Sequence, residues 1–284
     1  MSALPALNFN TLKNDTVYPP KKPPITEAEY WDKYYHYPDI TYEWNNGKLE
    51  EKGVSDVLTV LMYKWFLELL EHYLRTHPIA QSMVLEMGFR LSGSQKQKSH
   101  IRRPDLGVVL NSNPVPLLPH DKSYQGIYDL CIEAISDSEF KEIKRDIQDK
   151  KIEYAKAGVT EYYILDGHDR YTAFYRLNQK GDYAPIKPLK GDIIQSTVLP
   201  GFQFRITDLL NNPSPDDMID DLVYQRFVLP GYRQEKQARL MAEKRAGKQE
   251  KQINAEKQAR LVAEKRAEQL ADKLRSLGIN PDDI

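Results

Sequence analysis

A single cysteine, Cys131, is the only thiol in 284 residues. It sits in an apolar run, LCIEAI, where it reads as core. An internal disulfide is excluded, and the chain suits a reducing compartment. The six histidines, His36, His72, His77, His100, His120 and His168, show no zinc-type spacing, so a structural zinc site has no ligand set. Long apolar runs are missing as well. The longest, Val57 to Leu70, is broken by Thr59, Lys64 and Glu68 and is too short and polar to cross a bilayer. The opening MSALPALNFNTLKND has neither a basic lead nor an apolar stretch of signal-peptide length. A cytoplasmic protein with no membrane partner is expected. No glycine loop that would cradle phosphates and no G-x-S-x-G elbow is present, so nucleotide hydrolysis by a P-loop and serine hydrolysis both lose support. Net charge is scarce too: 40 basic and 41 acidic side chains nearly cancel. No global field draws nucleic acid, and any contact with it must come from local patches.

What is present reads as one domain with extensions. A chain of this length with 40% hydrophobic residues can bury one substantial core and has sequence left over. Residues 1–25 carry Pro5, Pro19, Pro20, Pro23 and Pro24 with few periodic apolar positions, the pattern of an extended arm. Residues 26–230 are expected to form the main domain, and 231–284 a charged helical tail. Thr26 with Glu29 opens a short helix to about Tyr35. TYEWNNGKLEE follows as a hairpin, its Asn46-Gly47 turn able to take positive φ. From about Ser55 to Thr76, Val57, Leu61, Trp65, Leu69 and Tyr73 recur at helical spacing before Pro78, which predicts the main core helix. SMVLEMGFRL (82–91) reads as a strand, and Pro114, Pro116 and Pro119 mark an irregular loop that could wall a cleft. VTEYYILD and RYTAFYRL form a hairpin around Gly167, His168 and Asp169, and residues 199–210 a late strand. The aromatic residues of these strands alternate as core and sheet surface do, not as base-stacking platforms.

The chemistry concentrates between Ile101 and Asp166. Two strand-like runs each carry one acid in apolar surroundings, Asp105 in IRRPDLGVVL and Glu133 in IYDLCIEAIS. An acid on an apolar strand is costly to bury unless something pairs with it. If the two strands are neighbours, the carboxylates can meet and hold a hard cation. Mg²⁺ suits such a pair, because it takes one or two carboxylates, keeps several waters and completes its shell with phosphate oxygens; Mn²⁺ is the alternative. A helix from about Glu142 to Ala157 follows, with Ile143, Ile147, Tyr154 and Gly158 on one stripe and Lys150 and Lys151 on its flanks. Asp146 lies one turn before Lys150. A lysine at the edge of a buried stripe can turn its ammonium toward the carboxylates and neutralise developing charge, with Lys150 the first choice and Lys151 the second. Asp146 is either a further contributor or simply the helix-face partner of Lys150.

Pro104-Asp105, Glu133-Ala134-Ile135-Ser136, Asp146-Ile-Gln-Asp-Lys150 and EYAKAGVTEYYILD (153–166) together resemble the Uma-two family of restriction endonucleases, part of the PD-(D/E)XK nuclease superfamily. The resemblance runs from about residue 26 to 210, and its most specific part is the helix-to-strand segment with Gly158-Val159 and Glu161-Tyr162. It implies an α/β fold with a restriction-endonuclease-like αβββαβ core and a mixed central sheet, a divalent metal, and DNA as substrate. It also implies that an acid at Glu51 lies near the active site, as an accessory ligand or water-orienting group; an ordinary solvated strand end is the competing reading. One position departs from the superfamily. The lysine that should follow the glutamate by two residues is Ile135, and Lys150 on the helix is the residue that takes its role.

Lys96, Lys98, His100, Arg102 and Arg103 lead straight into Asp105, and beside a metal site such a loop could hold a phosphate backbone. A solvated hairpin loop is the other reading of the same run. The tail repeats itself, EKQARLMAEKRA at 235 and EKQARLVAEKRA at 256, a spacing of three heptads. As a continuous helix from Arg233 to Leu277 it would span about 60 Å, with an apolar seam that is weak until its last third and a stop signal at Gly278 and Pro281. The expectation is therefore a Mg²⁺-dependent endodeoxyribonuclease. Asp105 and Glu133 are its metal ligands and Lys150 its catalytic amine, with homodimerisation or a protein partner on the tail. The rival is a nuclease-fold scaffold without activity that assembles through that tail.

Overall fold

The hairpin β1 (Tyr42–Asn45) and β2 (Lys48–Glu51) forms where the sequence places it, because Asn46 and Gly47 both adopt positive φ and let the strands turn within two residues. It is preceded by α1 (Glu27–Glu29), capped by the Thr26 side chain on Glu29 N, which runs directly into a π-helical turn over Tyr30–Tyr34. The computed structural model describes residues 23–91, 99–135 and 140–277. Most of the expected N-terminal arm, Lys96, Lys98, Ser136 and the stop signal at Gly278 and Pro281 lie outside the described residues. The chain divides into two compact units, Met1–Val60 with Ala80–Ile186, and Leu61–Ile79 with Lys187–Ile284.

The first unit holds two sheets. Helix α2 (Val57–Thr76) begins in it, and β3 (Ala80–Met83), β4 (Phe89–Leu91), β5 (His100–Arg102), β6 (Leu106–Leu110) and β7 (Leu130–Ala134) follow. Next come α3 (Phe140–Lys144), a π-helical stretch over Arg145–Lys150, α4 (Lys151–Ala157), and β8 (Glu161–Leu165), β9 (Ala173–Leu177) and β10 (Tyr183–Pro185). The central sheet is mixed, in the order β10-β9-β8-β7-β6-β3, antiparallel except for the parallel pair β7 and β8. A parallel pair needs a long crossover, and the helical segment from 140 to 157 supplies it. The smaller sheet, β2-β1-β5-β4, is antiparallel throughout.

Three elements depart from the sequence expectation here. The run 82–91 is not one strand: Leu85 and Glu86 adopt left-handed φ of 61° and 55°, ending β3 so that β4 restarts in the other sheet. The helix expected over 142–157 is α-helical only at its ends, with the π-helical stretch between them. Helix α2 buries Trp65, Leu69 and Tyr73 of its predicted stripe, whereas Val57 and Leu61 are exposed. The core of the unit packs Phe89, Val109, Tyr128, Cys131, Ile135, Tyr154 and Tyr162, so Ile135 is a core residue and Cys131 an inert, buried thiol. Gly107 on β6 leaves room for Tyr128, whose ring would lie 2.4 Å from an added Cβ.

In the second unit, the aromatic residues Phe66 and Tyr73 of α2 meet Phe202 and Phe204 edge-on at 5.4 to 5.8 Å, and Tyr73 meets Phe227 at 5.7 Å. The segment 199–210 is strand only at β12 (Gln203–Arg205), which pairs with β11 (Ile193–Gln195) in a sheet of its own and turns at once into α5 (Ile206–Asn211). After the short α6 (Pro215–Met218), capped by Ser214, the tail forms α7 (Pro230–Ser276), a helix with no buried residue.

Candidate active site

Strand register brings the two predicted acids together. Leu106 pairs with Ile132 and Gly107 with Cys131, and continuing that antiparallel register by one residue sets Asp105 opposite Glu133. Asp105 is held at this point because its Oδ2 accepts from Ala134 N at 2.7 Å. Its Oδ1 takes the Lys52 ammonium at 2.8 Å, and the same Nζ lies 3.9 Å from Glu133 Oε2. One lysine thus bridges both carboxylates. Glu133 is buried, with Tyr154 Oη donating to Oε1 at 2.7 Å and Lys150 Nζ on Oε2 at 2.8 Å.

Lys150 is the amine that the sequence assigns, and its ammonium is shared among Glu133, Asp146 at 2.9 Å and Glu43 at 3.2 Å. The π-helical stretch explains how. In a π turn the hydrogen bond runs five residues on, so residues five apart return to the same face. Arg145 and Lys150 therefore both reach Glu43, at 3.7 and 3.2 Å. Asp146 is the ion-pair partner of Lys150, buried beside it. Lys151 is turned elsewhere, its ammonium 3.8 Å from the centre of the Tyr175 ring.

Glu43 ties this group to the hairpin. It faces Glu50 across β1 and β2, a like-charge pair that would be unfavourable alone. Arg102 resolves it: Nη1 contacts Glu43 at 3.1 Å and Glu50 at 2.7 Å, while Nε and Nη2 grip Glu153 at 2.6 and 2.8 Å. Arg102 is fully buried, so it is not presented to a phosphate backbone as the sequence suggested. Arg103 is likewise engaged, donating to the carbonyls of Glu86 and Tyr35 and lying 4.5 Å over the Tyr35 ring. Glu51 is exposed at the strand end, and it is its backbone carbonyl that accepts from Arg145 Nη1 at 2.8 Å. The inward acid of β2 is Glu50.

Burial and charge pull these groups in opposite directions. Burial pushes the Glu133 carboxyl up, against the pull of Lys150 and Lys52. Burial also opposes charge on Glu43, yet Lys150, Arg102 and Arg145 hold it well below the usual carboxylate range. Lys52 would be lowered by burial, but Asp105, Glu133 and Glu86 keep it well above the usual lysine range. Asp105, Glu86 and Glu133 all turn carboxylate oxygens toward the one Lys52 ammonium, at 2.8, 3.4 and 3.9 Å. Carboxylate oxygens are the donors that a hard divalent cation takes. Among the described residues, no three acid, histidine or cysteine side chains are drawn together closely enough to chelate one unaided. A cleft of about 680 Å³, lined among others by Glu51, Lys52, Lys141, Glu142 and Arg145, opens beside the cluster.

A family model described as "Putative restriction endonuclease", Uma2, matches residues 29–208. The chain belongs to the Uma2 family. A solved structure described as a "putative nuclease belonging to DUF820", from Anabaena variabilis ATCC 29413, is similar over 64% of this chain and 97% of that one. Sequence identity is 16% and the TM-score 0.50, a likeness of fold. No curated protein matches the chain. Within this Uma2 chain, sequence reasoning found Asp105, Glu133, Lys150 and Asp146, which the fold brings into one network. It missed Lys52, Glu43, Glu86 and Arg145. Glu43 had a legible signal, an acid between Tyr42 and Trp44 on a strand, the same pattern that marked Glu133. Lys52 had none, because only the folded hairpin carries it to Asp105.

Proposed function

We propose that this Uma2 protein is a metal-dependent endonuclease that hydrolyses DNA phosphodiester bonds. The observation that carries the reading is the pairing of Asp105 and Glu133 across neighbouring strands, bridged by one ammonium, with Lys150 from the following helix on the second acid. Asp105 and Glu133 would hold Mg²⁺ or Mn²⁺, and the ion would supply Lewis-acid polarisation of the phosphate and a bound water of lowered pKa. Glu133 is fixed by Lys150 and by the Tyr154 hydroxyl, with Oε2 3.9 Å from the Lys52 ammonium that Asp105 also holds. Asp146 holds Lys150 in turn. Lys52 and Arg145 face the cleft, where positive charge offsets the charge that develops on the phosphorane-like transition state. Lys141 on the cleft wall takes the place of the buried Arg102 as a contact for the phosphate backbone, and Glu51 sits at the rim. Cutting both strands of a duplex fits a homodimer, with α7 as the segment that recruits the second copy or a protein partner. The lone buried Cys131 suits the reducing cytoplasm.

Nicking of supercoiled plasmid tests the proposal. Wild type should cut with Mg²⁺ or Mn²⁺ and stop with chelator. Asp105→Ala and Glu133→Ala should lose more activity than the roughly 10–100-fold that removal of a supporting partner costs a metal site. Equal cutting by the variants removes the assignment. Absence of metal-dependent cutting by wild type leaves the scaffold reading, which Ile135 in the lysine slot and Lys52 between the acids favour.

A further inference from the structure

Lys52 carries its ammonium into a cage of oxygens. Nζ donates to the Arg103 carbonyl at 2.7 Å and stands 2.8 Å from Asp105 Oδ1, 3.4 Å from Glu86 Oε1 and 3.9 Å from Glu133 Oε2. The side chain is 9% exposed. Carboxylates with a main-chain carbonyl are the donors that Mg²⁺ and Mn²⁺ take. In this protein their counter-charge is a lysine.

Glu86 belongs to the cage by construction. Leu85 and Glu86 both lie in the left-handed region, which non-glycine residues seldom adopt in succession, and the Glu86 carbonyl is pinned by Arg103 Nε at 2.9 Å. That turn ends β3 and directs the Glu86 carboxylate at Lys52. The three acids are spaced around an ammonium, not around a bare ion, which is why they do not form a closed chelate by themselves.

We propose that Lys52 is a built-in competitor for the divalent ion, and that Glu86 is a third carboxylate which closes on the ion once Lys52 leaves. The inference rests on reading Asp105 and Glu133 as metal ligands. Lys150 reaches only the Glu133 side, whereas the Lys52 ammonium sits on Asp105 Oδ1 and the Arg103 carbonyl, the oxygens an ion at Asp105 would take, and like charges at that distance repel strongly where water is scarce. Lys52 directly follows β2 and lines the cleft, so the displaced ammonium has a place to go. Loading the ion thereby frees an amine into the space where a phosphodiester would lie. Metal binding and substrate binding are coupled by one side chain.

Mn²⁺ binding to the full chain, followed by electron paramagnetic resonance and calorimetry, tests this without reference to cutting. Lys52→Met and Lys52→Gln should bind Mn²⁺ at least about tenfold more tightly than wild type, since a like charge is removed from contact distance. Adding Glu86→Gln to either variant should erase much of that gain. In wild type, acetylation by an amine-directed reagent, read by mass spectrometry, should leave Lys52 protected without ion and modify it at saturating Mn²⁺. Folded Lys52 variants that bind no more tightly than a metal-binding wild type overturn the competition and leave the metal site standing. Folded wild type and variants that all fail to bind Mn²⁺ overturn the metal-site reading, and the inference with it. Should the variants not fold, unchanged protection of Lys52 in metal-loaded wild type overturns the competition by itself.

Discussion

Glu43 makes ion pairs with Arg102, Lys150 and Arg145 while fully removed from solvent, so it links the hairpin, β5 and the crossover helix through a single carboxylate. Replacing it by glutamine keeps the volume but leaves buried cations short of a counter-charge, and breaking such a pair costs about 3–5 kcal/mol. The pH dependence has a defined sign. A carboxylate depressed by folding contributes stability that is present above its unfolded value and lost as pH falls toward its folded value. Glu43 is depressed below the ordinary value of 4.5. The stability gap between wild type and Glu43→Gln should therefore be constant near neutrality and shrink as the pH drops below about 4.5, which urea unfolding at a series of pH values measures. A gap that persists unchanged at strongly acidic pH would contradict the assignment. The same reasoning sets Arg102 apart from a DNA contact: with three carboxylates on a buried guanidinium, its loss is a loss of stability.

At the scale of the element, the crossover between β7 and β8 places the Lys150 ammonium against Glu133 and Glu43, and its π-helical stretch is what makes five-residue spacing usable. Arg145 and Lys150 share Glu43 only because the helix widens between them. Gln148 lies on the solvent side of that stretch. Deleting it turns the five-residue spacing into the four of an α-helix, which also puts the two cations on one face. The deletion variant should fold, with a loss inside the roughly 0.5–3 kcal/mol of an ordinary single change. Lys150→Met, which leaves Glu133 and Glu43 without their shared cation, should lose more, about 3–5 kcal/mol. Urea unfolding of the two ranks them, and a deletion costlier than Lys150→Met would show that the widened turn does more than absorb an extra residue. The helix ends because Gly158 takes φ of 91° and its N–H caps the Tyr154 and Ala155 carbonyls.

For the whole molecule, the contrast is between a unit built on buried charge and a helix that buries nothing. Helix α7 spans 47 residues with no buried side chain. Its ion pairs recur with the repeat, Arg239 with Glu243 and Arg260 with Glu264, and exposed pairs of this kind contribute only about 0.3–0.5 kcal/mol each. Leu240 and Met241 in the first repeat and Leu261 and Val262 in the second are exposed at matching positions. Beyond its first turns, where Arg233 and Lys236 meet Asp220, such a helix gains stability chiefly by pairing its apolar side chains. Helical circular dichroism should therefore rise with protein concentration in the full chain. A chain ending at Arg233 should lose that dependence while unfolding at the same urea midpoint. Helicity independent of concentration would argue against self-association through the tail. Among the described residues, no helix is long and apolar enough to cross a membrane.

Local signals in the sequence determined the hairpin turn, the capped start of α1 and the helical tail, and they singled out Asp105, Glu133, Asp146 and Lys150, which the fold joins in one ion-pair network. Each depended on spacing or on an acid in apolar surroundings, and such signals survive in a one-dimensional reading because they act within a strand or a helical turn. The tertiary structure decided which charges meet. It turned Arg102 inward, left Glu51 at the surface, set Lys151 on Tyr175 and brought Lys52 and Glu86 to Asp105. Buried charges must find partners, and partners that lie 53 residues apart in the chain, as Lys52 and Asp105 do, are chosen by strand pairing and by a strained turn rather than by neighbouring sequence.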